Sequence, residues 1–195
     1  MADQITELKK LLAVWDYSYL RFLAFRRSDF STERASEGGL KYTGEMNRYR
    51  KDIESILTSM PSPAREQFKD KIKDINLRTD LAITEHKYLI KFWELKRKFD
   101  AAEIIWDKTA LEMEAASKKG SLKSEGIKIY IKEIKNQELI ARAILEEIYS
   151  LIKERGYRRG FVPDMHSELS QKFEYKINKT NDTIKFCLSK VASRS

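Results

Sequence analysis

Apolar residues recur every seven positions through the middle of the chain, and this repeat constrains the fold more than any other feature. Its members are Tyr88, Phe92, Leu95, Phe99, Ala102, Trp106 and Met113. Their spacings place them on one side of an α-helix. Only seven glycines and three prolines occur among 195 residues, so little interrupts such helices. The pattern predicts an all-α protein made of a few long amphipathic helices.

The same periodicity predicts helices at about 3–27, 45–60, 63–119, 121–155 and 165–192. Pro61-Ser62-Pro63 ends the second helix. The apolar stripe of the third changes phase near residues 76–79, which leaves open whether this helix is continuous or broken there. Gly38-Gly39 and Gly44 indicate a turn or linker. We therefore expect an N-terminal helical arm with its linker over 1–44, followed by an antiparallel helical bundle over 45–195.

The first predicted helix carries an unusually wide apolar surface. Its main stripe consists of Leu8, Leu12, Trp15, Tyr19 and Phe22, and further leucines widen it. Such a helix must bury this surface in its own bundle, against a partner subunit or on a lipid surface. We expect the stripe to serve assembly, so that deletion of residues 1–28 leaves a folded bundle that no longer oligomerises.

Residues that carry catalysis or bind metals are sparse. The two histidines, His86 and His166, are far apart, and neither belongs to a Glu-x-x-His pair. The single cysteine, Cys187, excludes an intrachain disulfide and lies among apolar residues, as a buried thiol does. No glycine-rich phosphate-binding motif occurs. We expect no enzymatic activity, no metal site and no cofactor.

The sequence carries no sign of export or of a membrane span. The first ten residues are polar, and the apolar stretch 11–25 contains Asp16 and Arg21 and is too short to cross a bilayer. We therefore expect a protein that is neither secreted through a signal peptide nor transmembrane.

Basic residues interleaved with aromatic residues are the candidate binding features. The net charge is +8, and residues 157–195 contribute half of it, with eight basic and four acidic residues. The candidate residues are Arg21, Arg26, Arg27, Arg48, Arg50, Lys51, Arg158 and Arg159. Arginine binds phosphate in a bidentate manner, so these clusters suit a nucleic-acid backbone. The alternative interpretation is that they are ordinary solvated cations near helix ends.

A basic, aromatic-rich helical arm before a bundle of long helices resembles the major coat (nucleocapsid) proteins of filamentous archaeal viruses. The resemblance is one of layout over the whole chain, and the low Asn and Gln content, nine residues, is similar and typical of thermophilic proteins. It implies that the arms wrap a DNA duplex, that the bundles pack outward under an envelope, and that the protein is located in a virion. By position it assigns the six candidates from Arg21 to Lys51 to DNA phosphates.

The function expected from the sequence is therefore a structural, sequence-nonspecific nucleic-acid-binding protein that self-assembles around a duplex. Its partners would be double-stranded DNA and other copies of itself or a paralogous subunit, in a virion or inside a cell. Two alternatives remain open. One is a helical adaptor or scaffold that docks a partner through its N-terminal helix. The other is a peripheral bundle whose stretch 11–25 lies on a membrane surface.

Overall fold

The computed structural model describes residues 2–28, 33–156 and 161–193, without the side chains of residues 25–28 and 33–37. This part of the chain forms helices and no strand, which confirms the all-α prediction. The helices are α1 (Ala2–Ser28), α2 (Glu33–Ser59), α3 (Ser62–Glu66), α4 (Lys69–Lys118), α5 (Ser124–Arg155) and α6 (Phe161–Ala192).

The helices form two compact units, unit 1 (Met1–Lys91) and unit 2 (Phe92–Ser195). The boundary lies inside α4, so this long helix contributes its first part to unit 1 and its second part to unit 2. The division predicted at residue 44 differs from this one, because residues 2–28 and 33–59 pack against each other as neighbouring helices of unit 1.

Unit 1 is a three-helix bundle of α1, α2 and the first part of α4. Gln4 bonds to Ser59 and Ser18 bonds to Glu45, so α2 runs antiparallel to α1. Trp15 donates its indole N–H to the hydroxyl of Thr79 at 3.0 Å, from α1 to α4. The fully buried side chains of the core are Leu8, Trp15, Phe22, Met46, Ile53 and Ile75.

Gly38-Gly39 forms no turn, which corrects the prediction of a linker there. Both glycines lie within α2. A Cβ added to Gly39 would lie 2.6 Å from Nδ1 of the buried His86 on α4. Gly39 therefore allows two helices to approach closely, which a side chain would prevent.

The helix is continuous through residues 76–79, the stretch where the sequence left a break open, and the chain breaks instead between α3 and α4. Ile75, Thr79 and Ala82 are all buried, one turn apart, so the helix keeps one face on the core throughout this stretch. Between α3 and α4, the backbone N–H of Phe68 donates a hydrogen bond to the carbonyl oxygen of Arg65. The N–H of Ile72 donates to the carbonyl oxygen of Phe68.

Unit 2 is a three-helix bundle of the second part of α4, α5 and α6. Arg142 of α5 lies over the ring of Phe173 of α6, and Tyr149 packs on His166, so these helices are antiparallel. Gly156 ends α5 with a positive φ of 67°, in agreement with the predicted helix end. The fully buried core side chains include Phe92, Leu95, Phe99, Trp106, Met113, Ala141, Ile148 and Cys187.

In both units a tryptophan of the first helix donates a hydrogen bond to a threonine of the third helix. In unit 2, Trp106 of α4 donates its indole N–H to Thr180 of α6 at 3.0 Å, as Trp15 does to Thr79 in unit 1. All four side chains are buried, so each bond satisfies polar groups that would otherwise destabilise the core.

Candidate nucleic-acid interface

Basic and tyrosine side chains of α1 and α2 form one surface of unit 1, which we call the α1–α2 cationic face. Its members are Tyr17, Arg21, Lys41, Tyr42, Arg48 and Tyr49. The antiparallel packing of the two helices brings Arg21 near Tyr42, with which it interacts electrostatically. Tyr42 and Tyr49 are seven residues apart and therefore lie on the same side of α2.

Each arginine of this face rests on a tyrosine. The Nε of Arg21 donates to the hydroxyl of Tyr17 at 2.9 Å, and its guanidinium carbon lies 5.3 Å from the ring centroid. Arg48 donates to the hydroxyl of Tyr49 at 2.9 Å, with its guanidinium carbon 4.8 Å from that centroid. The tyrosines orient both guanidinium groups and leave further N–H donors for a ligand.

The α1–α2 cationic face is positively charged. Among the described residues, no carboxylate lies in an ion pair with Arg21, Lys41 or Arg48. The hydrogen bond and the electrostatic attraction from Tyr17 raise the pKa of Arg21 above its ordinary value, so its charge persists at any physiological pH. Lys51 follows Arg48 by one helical turn and is exposed, which extends the charge along α2.

Arg50 lies outside this face, and its role in binding phosphate stays a prediction. It is directed toward α4, where its guanidinium bonds to Asp80, and a second bond at 2.7 Å joins it to Asn47. A paired arginine at a helix crossing stabilises unit 1 and has less charge to offer a phosphate. The side chains of Arg26 and Arg27, and the whole of Arg158 and Arg159, lie outside the described residues.

The predicted assembly stripe of α1 lies in the core. Leu8, Trp15 and Phe22 are at most 1% exposed within the chain itself. Leu12 and Tyr19 are half-buried, and Tyr19 stacks on Trp15 with ring centroids 5.4 Å apart. Because α2 and α4 cover this stripe, it is not available to a partner copy. Deletion of residues 1–28 would therefore remove one of the three helices of unit 1 and unfold this unit. The sequence had predicted that the bundle would stay folded.

Two other reactive side chains of the described part, Cys187 and His166, belong to unit 2. Cys187 is buried, and no group of three or more potential metal ligands occurs there. His166 lies with Nε2 3.2 Å from the carbonyl oxygen of Leu145, at the edge of an open groove of about 430 Å³ between α5 and α6. None of the helices described has both the length and the hydropathy needed to cross a membrane.

No protein-family model, curated protein or solved structure matches this chain.

His86 makes the stability of unit 1 depend on pH. Its ring is 2% exposed and neither ring nitrogen has a hydrogen-bond partner in the described part, so burial lowers its pKa below the ordinary 6.5. Below pH 6.5 the unfolded chain binds a proton that the folded chain does not bind. The free energy of unfolding should therefore be unaffected by His86 above this pH and should decrease below it, by up to about 1.4 kcal/mol per pH unit.

Urea unfolding of the wild type and of His86→Gln, from about pH 7.5 to 5, measures this contribution. Carboxylates titrate equally in both proteins, so the difference between the two pH profiles isolates His86. Parallel profiles would show that the folded protein binds the proton as readily as the unfolded chain.

Proposed function

We propose that the protein is a structural nucleic-acid-binding protein that contacts the phosphate backbone through the α1–α2 cationic face, without reading bases, and self-assembles along a duplex. The observation that carries this proposal is the pairing of Arg21 and Arg48 with tyrosines rather than carboxylates. A cation held by a neutral partner keeps its full charge for an anionic ligand.

The chemistry of the face suits phosphate. A guanidinium group presents parallel N–H donors that match two phosphate oxygens, and prior orientation by a ring reduces the entropy lost on binding. The tyrosine hydroxyls can donate to phosphate oxygens as well. Contacts of this kind position a protein on nucleic acid and carry no sequence information. The proposal therefore concerns sequence-independent binding.

The burial of α1 supports this proposal over the membrane-surface alternative. That alternative needs the apolar side chains of residues 11–25 to face lipid. Trp15 and Phe22 are buried in unit 1, and Leu11, Leu12 and Leu23 are at least partly covered. Of the large apolar side chains described in this stretch, Val14, Tyr17 and Leu20 remain exposed, which is a narrower apolar face than the alternative needs. The α1–α2 cationic face, in contrast, lies on the surface of the unit.

Replacing Arg21 and Arg48 together with alanine is expected to weaken binding to DNA duplexes of any sequence. Each lost phosphate contact should reduce the slope of log K against log salt by about 0.9, or about 1.8 for the pair. The free energy of unfolding should change by less than about 2 kcal/mol, since exposed cation–π contacts contribute about 0.5–1 kcal/mol each. Fluorescence anisotropy over a salt series, with labelled random duplexes, measures the slope.

Arg142→Ala is the matched control. Arg142 also rests on an aromatic ring, that of Phe173, but it pairs with Glu138 and lies in unit 2. Its removal should leave the slope unchanged. An equal loss from Arg142→Ala, or no loss from the double variant, would contradict the proposal. Binding to anionic vesicles without binding to duplexes would support the membrane-surface function instead.

A further inference from the structure

The first helices of the two units carry corresponding residues at the same register. Val14-Trp15-Asp16 of α1 and Ile105-Trp106-Asp107 of α4 are 91 residues apart, and a hydroxyl residue and a leucine follow at equal intervals in both. The tryptophans make the same bond to a threonine of the third helix. The aspartates also pair with lysines of the third helix, Lys71 in unit 1 and Lys176 in unit 2.

The correspondence includes the solvent-exposed side of each helix. The outer stripe of α1 consists of Ala13, Tyr17, Leu20 and Ala24, and the outer stripe of α4 consists of Ile104, Lys108, Leu111 and Ala115. In both stripes the spacings are four, three and four, which places the residues opposite the buried tryptophan. Leu20 is 64% exposed and Leu111 is 65% exposed. Neither stripe is covered within its own unit.

The helical segments that carry the two outer stripes have opposite net charges. Residues 9–24 contain three basic residues and one acidic residue, a net charge of +2. The corresponding residues 100–115 contain one basic and five acidic residues, a net charge of −4. The acidic residues are Asp100, Glu103, Asp107, Glu112 and Glu114, of which Glu103 is buried. Asp100, Glu112 and Glu114 pair with lysines of the same helix on the surface, where an ion pair contributes little and can exchange partners. Glu103 and Asp107 pair with Lys176, whose side chain is only 13% exposed.

We propose that the outer stripe of α1 docks on the outer stripe of α4 of a second copy of this chain. The leucines supply apolar contact, and the opposite charges exclude pairing of like stripes. Such a contact joins two different surfaces, so two copies can make it reciprocally in a dimer or a series of copies can continue it, and sedimentation distinguishes the two. It specifies the self-association within the proposed function, although its evidence is independent of nucleic acid. Only Tyr17 belongs to both the α1 stripe and the α1–α2 cationic face.

The first test replaces one exposed leucine at a time. Leu20→Asp and Leu111→Asp should each lower the association constant at least about tenfold, measured by sedimentation over protein concentrations up to about 1 mM in low salt without nucleic acid. Leu139→Asp is the matched control, because Leu139 is also 65% exposed but lies on α5, outside both stripes. Circular dichroism establishes that each variant is folded.

The second test exchanges the charges. Lys9→Glu/Lys10→Glu changes the net charge of residues 9–24 from +2 to −2, and Asp100→Lys/Glu112→Lys/Glu114→Lys changes that of residues 100–115 from −4 to +2, so each variant alone should remain monomeric. An equimolar mixture should associate again, because every contact between unlike copies is then complementary.

A wild-type protein that stays monomeric over the whole series would overturn the inference. So would a Leu139→Asp variant that dissociates as much as the stripe variants, or a mixture of charge variants that does not associate. These results are separate from the proposed function. Copies that associate through the stripes but bind no duplex would leave the inference standing and refute nucleic-acid binding.

Discussion

Trp106→Ala should destabilise the protein by about 3–5 kcal/mol, which is the cost of removing a large buried aromatic side chain. Trp106 is 1% exposed and packs edge-on against Phe173, with the ring centroids 5.9 Å apart. Its indole N–H donates to the hydroxyl of Thr180. The alanine variant loses the apolar contacts, leaves a cavity and strands the buried threonine hydroxyl. Urea unfolding followed by circular dichroism measures the change.

Trp106→Phe is the companion variant. This variant keeps most of the apolar volume and removes the indole N–H, so it should lower the free energy of unfolding by only about 1–3 kcal/mol. The equivalent pair in unit 1, Trp15→Ala and Trp15→Phe, should show the same order, because Trp15 is as buried and makes the same bond to Thr79. If both alanine variants lowered the free energy of unfolding by less than about 1 kcal/mol, the result would contradict the cores described above.

Gly39→Ala should destabilise unit 1 by about 1–3 kcal/mol through overpacking. The sign is informative, because a glycine-to-alanine change inside a helix otherwise stabilises by about 0.5–1 kcal/mol. The added Cβ would meet the ring of His86 at 2.6 Å, and that ring is buried and cannot move aside without disturbing the core.

Gly44→Ala is the control for this prediction. Gly44 lies on the same helix, and nothing is within 4 Å of the position its Cβ would occupy. This variant should be more stable than the wild type, as helix propensity alone predicts. The close approach of α2 and α4 would be refuted if both alanines stabilised the protein in thermal unfolding.

The fold class could be predicted from the sequence, whereas the partner of each apolar stripe could not. The repeat from Tyr88 to Met113 correctly predicted a long helix, and Gly156 correctly predicted a helix end. Periodicity predicts that one face of α1 is buried, but it does not identify the helices or the partner that cover this face. The stripe expected to face another copy is therefore covered by α2 and α4. Gly39 has the same ambiguity, since a glycine can serve a turn or a close helix crossing.

The cationic face was predictable only in part. Arg21 and Arg48 were identified from basic residues among aromatic ones, but their tyrosine partners were not. A usable signal existed, because Lys41-Tyr42 and Arg48-Tyr49 repeat a basic–tyrosine pair at an interval of seven. The pairing of Arg50 with Asp80 spans thirty residues and depends on the helix crossing, so local sequence could not indicate it.

The salt dependence of duplex binding by the wild-type protein tests the central claim most directly. If Arg21, Lys41 and Arg48 each neutralise a phosphate, log K should fall linearly with log salt, with a slope of about −2.7 or steeper. The slope and the affinity should be the same for duplexes of unrelated sequence, because phosphate contacts do not read bases. Absence of binding at low salt, or an affinity that depends strongly on sequence and little on salt, would contradict the account.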